Sequence, residues 1–142
     1  MSGELVDTNV LVYAHDLSAG ARRKTATELL ERLMAASSGV LSTQVLMEFY
    51  VTVTRKLPRP MKPGTAAAIV EDFGTWPVFA PGVDDIVAGA ALAERYLISF
   101  WDAMIVRAAQ VMGAALIWSE DLSSGQSYGG VEVRNPFSTV QA

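Results

Sequence analysis

Short apolar runs alternate with amphipathic stretches along this 142-residue chain, and that alternation narrows the fold more than any other feature. The first strand candidate is Glu4–Asp7, followed by the apolar run Val10–Tyr13, with a helix beginning near residue 9, and a turn at Asp16–Gly20. Over 21–36, Ala26, Leu29, Leu30, Leu33 and Met34 recur at helical spacing opposite Arg23, Lys24, Glu28, Glu31 and Arg32. Ser37-Ser38-Gly39 ends that helix, and Val40–Ser42 reads as a short buried strand. Thr43–Lys56 is the next helix, with Val45, Leu46, Phe49 and Val53 on one face, although the β-branched run Val51–Thr54 works against it. After a loop punctuated by Pro58, Pro60 and Pro63 come a short helix at Thr65–Phe73 and a third strand at Trp76–Ala80. Helices at about 83–97 and 100–112 precede a strand at Ala115–Trp118, a polar loop over 119–130 and a last strand at Val131–Val133. Strands and helices in alternation predict an α/β layered fold with a mainly parallel sheet.

Composition sets which chemistry such a fold can carry. With 51% hydrophobic and 18% charged residues the chain is not a disordered segment, and its length suits a single domain over 1–142. There is no cysteine, so disulfides, thiolate nucleophiles and cysteine-based zinc sites are excluded. The single histidine, His15, excludes a pair of histidines acting as acid and base; it reads as a helix-end or surface residue. The start Met-Ser-Gly-Glu lacks a basic stretch leading into an apolar one, and no run reaches the ~18 apolar residues of a membrane span. A cytoplasmic protein with no membrane association is therefore expected. Net charge is −4, yet Arg22, Arg23, Lys24, Arg32, Arg55, Lys56, Arg59 and Lys62 face only Glu28, Glu31 and Glu48 within residues 22–62. A basic segment in an otherwise acidic chain suits a phosphate-binding rim beside an acidic centre, or simply solvated helix faces.

Four acids sit inside or against apolar runs, where a solvated charge is not expected: Asp7, Glu48, Asp102 and Asp121. Asp7 closes the first strand, and Asp121 lies three residues beyond the strand ending at Trp118. Glu48 follows the strand at 40–42 by about one and a half helical turns. The helix bearing Asp102 ends at Gly113, just before the next strand begins, so its N-terminus points to the opposite edge of the sheet. All four converge on the C-terminal edge of a parallel sheet, where open α/β folds place their sites. Each also has a plainer role: Asp7 as a helix cap, Asp102 in a capping box with Ser99, Glu48 as a partly exposed helix residue, Asp121 as a turn residue.

Carboxylates gathered within about 4–8 Å repel one another, and a divalent cation relieves the repulsion. Ligation by oxygen alone suits Mg2+ or Mn2+ rather than zinc or copper. Such a centre supports metal-assisted phosphodiester hydrolysis by water. Cleavage through a ribose 2′-hydroxyl would call for an acid and base such as paired histidines, which this chain lacks.

The segments Asp7-Thr8-Asn9-Val10-Leu11-Val12-Tyr13, Ser42-Thr43-Gln44-Val45-Leu46-Met47-Glu48-Phe49, Ser99-Phe100-Trp101-Asp102-Ala103-Met104-Ile105 and Ser119-Glu120-Asp121-Leu122 resemble, in order and spacing, the four acidic motifs of PIN-domain proteins. Gly130-Val131-Glu132-Val133-Arg134-Asn135-Pro136-Phe137 is similar to the family's last strand. The resemblance implies a three-layer α/β/α sandwich with a five-stranded sheet in the order 3-2-1-4-5. It also implies an Mg2+- or Mn2+-dependent endoribonuclease acting on single-stranded RNA, with Asp7, Glu48, Asp102 and Asp121 as catalytic and metal-binding acids. Asn9 and Ser119 would orient them. Small members of the family are VapC-like toxins of toxin–antitoxin pairs, usually homodimers silenced by a cognate antitoxin. Ser119 stands where the family often has Thr, and Glu120 adds a further acid beside it.

Arg55, Lys56, Arg59 and Lys62 are candidate RNA-phosphate contacts, with Arg22, Arg23 and Lys24 as a second set. Trp101 and Trp118 are expected to pack in the core, the alternative being a base-stacking role. The competing functions are a deoxyribonuclease using the same acids and a catalytically inactive PIN-like RNA-binding or assembly module.

Overall fold

The computed structural model describes residues 2–138. Six strands, β1 (Gly3–Val6), β2 (Gly39–Ser42), β3 (Val78–Phe79), β4 (Ala114–Trp118), β5 (Ser127–Tyr128) and β6 (Val131–Arg134), form one sheet in the order β3-β2-β1-β4-β6-β5. The helices are α1 (Thr8–His15), α2 (Ala21–Ala36), α3 (Thr43–Arg55), α4 (Pro63–Phe73), α5 (Val83–Tyr96) and α6 (Phe100–Val111). Every strand pair is parallel except β5 with β6. The five parallel strands thus take the expected order, and the antiparallel β5 is an addition at one edge. No helix is long and apolar enough to cross a membrane among the described residues.

The central strands are covered on both faces. Leu5 and Val6 are consecutive in β1 and neither has any exposed surface, which an alternating, half-solvated strand would not allow. β2 is buried along its whole length. Right-handed crossovers place α1–α4 on one face of the sheet, and the return from β3 to β4 places α5 and α6 on the other. The result is an α/β/α sandwich whose core joins Leu5, Leu41, Ile117 and Val133 of the sheet to Leu11, Leu33, Phe49 and Ile105 of the helices. Each such side chain contributes about 1.5–3 kcal/mol by leaving water.

Local chemistry explains where the elements begin. Asp7, Ser42 and Ser99 are the N-caps of α1, α3 and α6, each accepting a backbone N–H through its side chain. The β-branched run does not break α3, because Val45, Leu46, Phe49 and Val53 bury one continuous stripe. The end of α2 differs from the sequence expectation. Ser37, not Gly39, takes the left-handed position at φ 53°, while Gly39 opens β2. Glycine is needed there because a Cβ would run into the Trp76 ring. The third strand is also shorter than the predicted Trp76–Ala80.

Candidate metal centre

β1 and β4 lie side by side with Val6 opposite Trp118, so the next residues, Asp7 and Ser119, meet beyond the sheet's C-terminal edge. Both are buried. Asp7 Oδ2 accepts a hydrogen bond from Ser119 Oγ at 2.7 Å, and Oδ1 accepts from Thr8 N–H at 2.7 Å. The Ser119 hydroxyl in turn accepts from the N–H groups of Asp121 at 3.1 Å and Leu122 at 3.4 Å. One donor and two acceptor positions are all in use. A single hydroxyl therefore fixes the rotamer of Asp7 and the path of the loop carrying Asp121.

The other two acids reach the same edge from helices. Glu48 projects, exposed, from the second turn of α3. Asp102 lies in the first turn of α6, where its N–H bonds Ser99 Oγ at 3.0 Å. Its carboxylate does not close a capping box on Ser99 and is free for other contacts. The two helix starts are tied together by Gln44 Nε2, which donates to the Trp101 carbonyl at 3.1 Å.

Electrostatics joins the four. Burial pushes Asp7 up to about 6, with the charges of Asp121 and Glu48 adding to the rise and the Ser119 and Thr8 hydrogen bonds opposing it. Asp121 is also raised, by burial first and then by Asp102 and Glu120. Asp7 therefore feels Asp121 and Glu48, and Asp121 feels Asp102. Asn9 faces Asp121 and favours its charged form, yet no full hydrogen bond forms: the amide nitrogen and oxygen are buried without partners, as is the Thr8 hydroxyl. Orphaned buried polar atoms at the mouth of an acid cluster call for water or a hydrated ion.

Among the described residues, no three acidic or histidine side chains stand close enough to form a ready-made ligand set for one ion. Asp7 has both oxygens engaged, while Glu48 and Asp121 are exposed and able to turn. This arrangement fits a hard cation that keeps several waters and takes one or two carboxylates directly, rather than one held in an all-protein cage.

The family model described as PIN domain matches residues 5–123, a span that holds all four acids. The chain belongs to the PIN-domain family. No curated protein matches it by sequence. Solved structures share the fold at low identity. A toxin–antitoxin complex from Klebsiella pneumoniae has a TM-score of 0.69 at 22% identity, covering 94% of this chain and 98% of that one. DNA-bound VapBC from Salmonella typhimurium has a TM-score of 0.65 at 18% identity, covering 96% and 99%. Mycobacterium tuberculosis VapC20, a toxin that cleaves the sarcin-ricin loop, has a TM-score of 0.64 at 20% identity, covering 84% and 90%.

Around this PIN centre several other residues find their places. Glu120, whose charge also raises Asp121, has partners of its own: it accepts from Tyr13 OH at 2.7 Å and pairs with Arg22 Nε at 3.1 Å. Arg22 also lies over the rings of Tyr13 and Phe137, so the partner of Glu120 is itself held. The exposed residues Arg55, Lys56, Arg59 and Lys62 are not brought to the acids. Arg55 lies seven residues past Glu48, about 10 Å along α3 and away from the sheet edge, and Arg59 lines a cavity with His15 and Asp16. His15 ends α1, its Nδ1 within 2.8 Å of the Leu11 carbonyl oxygen and its ring edge-on to Phe49 and Phe73. Trp118 packs against the core, its Nε1 donating to Glu4 at 2.9 Å. Trp101 does not: it is 65% exposed, in the first turn of α6. Sequence reasoning missed Gln44 and Tyr13, whose partners lie 57 and 107 residues away in the chain.

Proposed function

We propose that this protein is an Mg2+- or Mn2+-dependent endoribonuclease that hydrolyses phosphodiesters of single-stranded RNA, and the toxin of a VapBC-type pair. The observation that carries the reading is the buried Asp7–Ser119 pair beyond the sheet's C-terminal edge, to which Ser119 ties the loop of Asp121. The starts of α3 and α6, the helices of Glu48 and Asp102, are bound to each other through Gln44. Four negative charges would not be gathered beside orphaned polar atoms without a positive partner. Asp7, Glu48, Asp102 and Asp121 would hold the cation, with Ser119 and Asn9 orienting Asp7 and Asp121. When bound, the ion supplies Lewis-acid polarisation of the phosphodiester and eases loss of a proton from water. The protein's own part is positioning. Ser119 locks Asp7, the exposed carboxylates of Glu48 and Asp121 accept hydrogen bonds from water and direct it, and Arg22 offsets part of the charge that Glu120 adds.

The structural relatives described as toxin–antitoxin and VapBC complexes support the further reading that a cognate antitoxin binds this chain. In this reading the protein is a cytoplasmic homodimer of single-domain subunits over 1–142, and Arg55, Lys56, Arg59 and Lys62 meet RNA phosphates beyond the centre. A second reading, a catalytically inactive RNA-binding or assembly module, draws on the absence of a ready-made three-acid ligand set among the described residues. Incubation of the purified protein with total RNA, with Mg2+ or with a chelator, separates the two. Discrete fragments with Mg2+ and none with chelator are expected. Intact RNA in both supports the inactive module.

A further inference from the structure

We propose that Trp101 is the platform on which an unpaired RNA base stacks when its phosphate lies at the acid centre, an inference that rests on the nuclease reading above. Trp101 lies in the first turn of α6, and side chains of a first turn lean toward the helix N-terminus. Farther along the same stripe, Ile105 and Ala108 are buried in the core while Trp101 is open, so the first member reaches past the packed part of α6 at the end that carries Asp102. Trp101 adjoins Asp102 in sequence, and Gln44 of α3 pins its carbonyl at 3.1 Å. The backbone of Trp101 is therefore tied both to α3, which carries Glu48, and to α6, which carries Asp102. One side of the indole is propped by Phe100, whose ring lies edge-on at 5.3 Å and 72°, and 65% of the residue is open to solvent.

The chemistry of the surroundings selects the occupant. A carboxylate cluster repels the sugar–phosphate backbone everywhere except at a cation, so the neutral, flat base is the part of a nucleotide that gains from contact beside it. Every base offers a π-face, so stacking of this kind tolerates sequence and requires only that the base be unpaired. An open indole one residue from Asp102 therefore favours single-stranded over duplex RNA.

Tryptophan fluorescence is the test, with the Asp7→Asn variant in Mg2+ so that RNA stays intact. A ten-nucleotide unstructured RNA should quench the emission, and an abasic strand of the same length should not. Adding Trp101→Phe should abolish most of the quench while leaving affinity within about threefold, and adding Trp101→Ala should weaken binding about 5- to 100-fold. Equal affinity of the Trp101→Ala protein and its parent, or equal binding of abasic RNA, overturns the proposal. So does a Trp101→Ala protein that sediments as a smaller species with unchanged RNA affinity, because Trp101 would then seal a contact between two copies. Failure of the otherwise wild-type chain to cleave any RNA, with quenching intact, would remove the nuclease reading and leave the stacking platform standing.

Discussion

Asp7 carries two roles that pull against each other. As N-cap of α1 it gains from being ionised beside Thr8 N–H and Ser119 Oγ, yet its burial favours the neutral acid and lifts it to about 6 from an ordinary 3.8. Because the folded-state value is the higher one, the folded protein holds this proton more tightly than the unfolded chain does. The stability it contributes is full below about pH 3.8 and is lost as pH rises through about 6. Asp7→Asn should therefore abolish RNA cleavage, and in the metal-free fold its stability relative to the wild type should be greater at pH 7 than at pH 4 by about 1–3 kcal/mol. Urea unfolding of both proteins in chelator across that range checks it, and curves that run parallel at all pH values would contradict it. Asp7, Glu48, Asp102 and Asp121 stood out in the sequence as charges set against apolar runs. The partners of Glu120 did not, since Tyr13 and Arg22 lie 107 and 98 residues away and nothing local marks the pairing.

At the scale of the elements, some of the caps were readable and the exceptions came from packing. Ser99 announces α6 because a hydroxyl before an apolar stripe has a local job, whereas Ser42, read only as the end of a strand, caps α3 as well. β5 is only two residues long, too short for any periodicity, so the sequence reads as loop there. Its signal was the Gly129-Gly130 pair, at φ 54° and 86°, which makes the tight turn joining β5 to β6. The end of α5 carries an avoidable strain. Leu97 occupies the left-handed C-cap position at φ 55° and is 90% exposed, so its side chain has little packing to lose. Leu97→Gly should raise stability by about 1 kcal/mol, read as a shift in the urea midpoint at constant slope. A loss of stability would mean that Leu97 has a partner in solution.

For the whole molecule, strand and helix alternation was enough to specify the class, since each strand had to be buried on two faces. The order of strands came from the family resemblance, because short parallel strands carry no pairing code of their own. The same topology separates the acidic centre from the basic segment: α3 starts at one and ends at the other. If RNA spans both, replacing Arg55, Lys56, Arg59 and Lys62 with Gln should weaken binding and flatten its dependence on log salt by up to about 3. An unchanged slope would restrict the RNA path to the acidic edge. The account as a whole rests on the acids acting as one cation site, and Mn2+ titration followed by electron paramagnetic resonance tests that directly. The wild type should bind Mn2+, and Asp7→Asn, Glu48→Gln, Asp102→Asn and Asp121→Asn should each weaken binding. Affinity that is unchanged in all four variants would place the ion elsewhere and contradict the account.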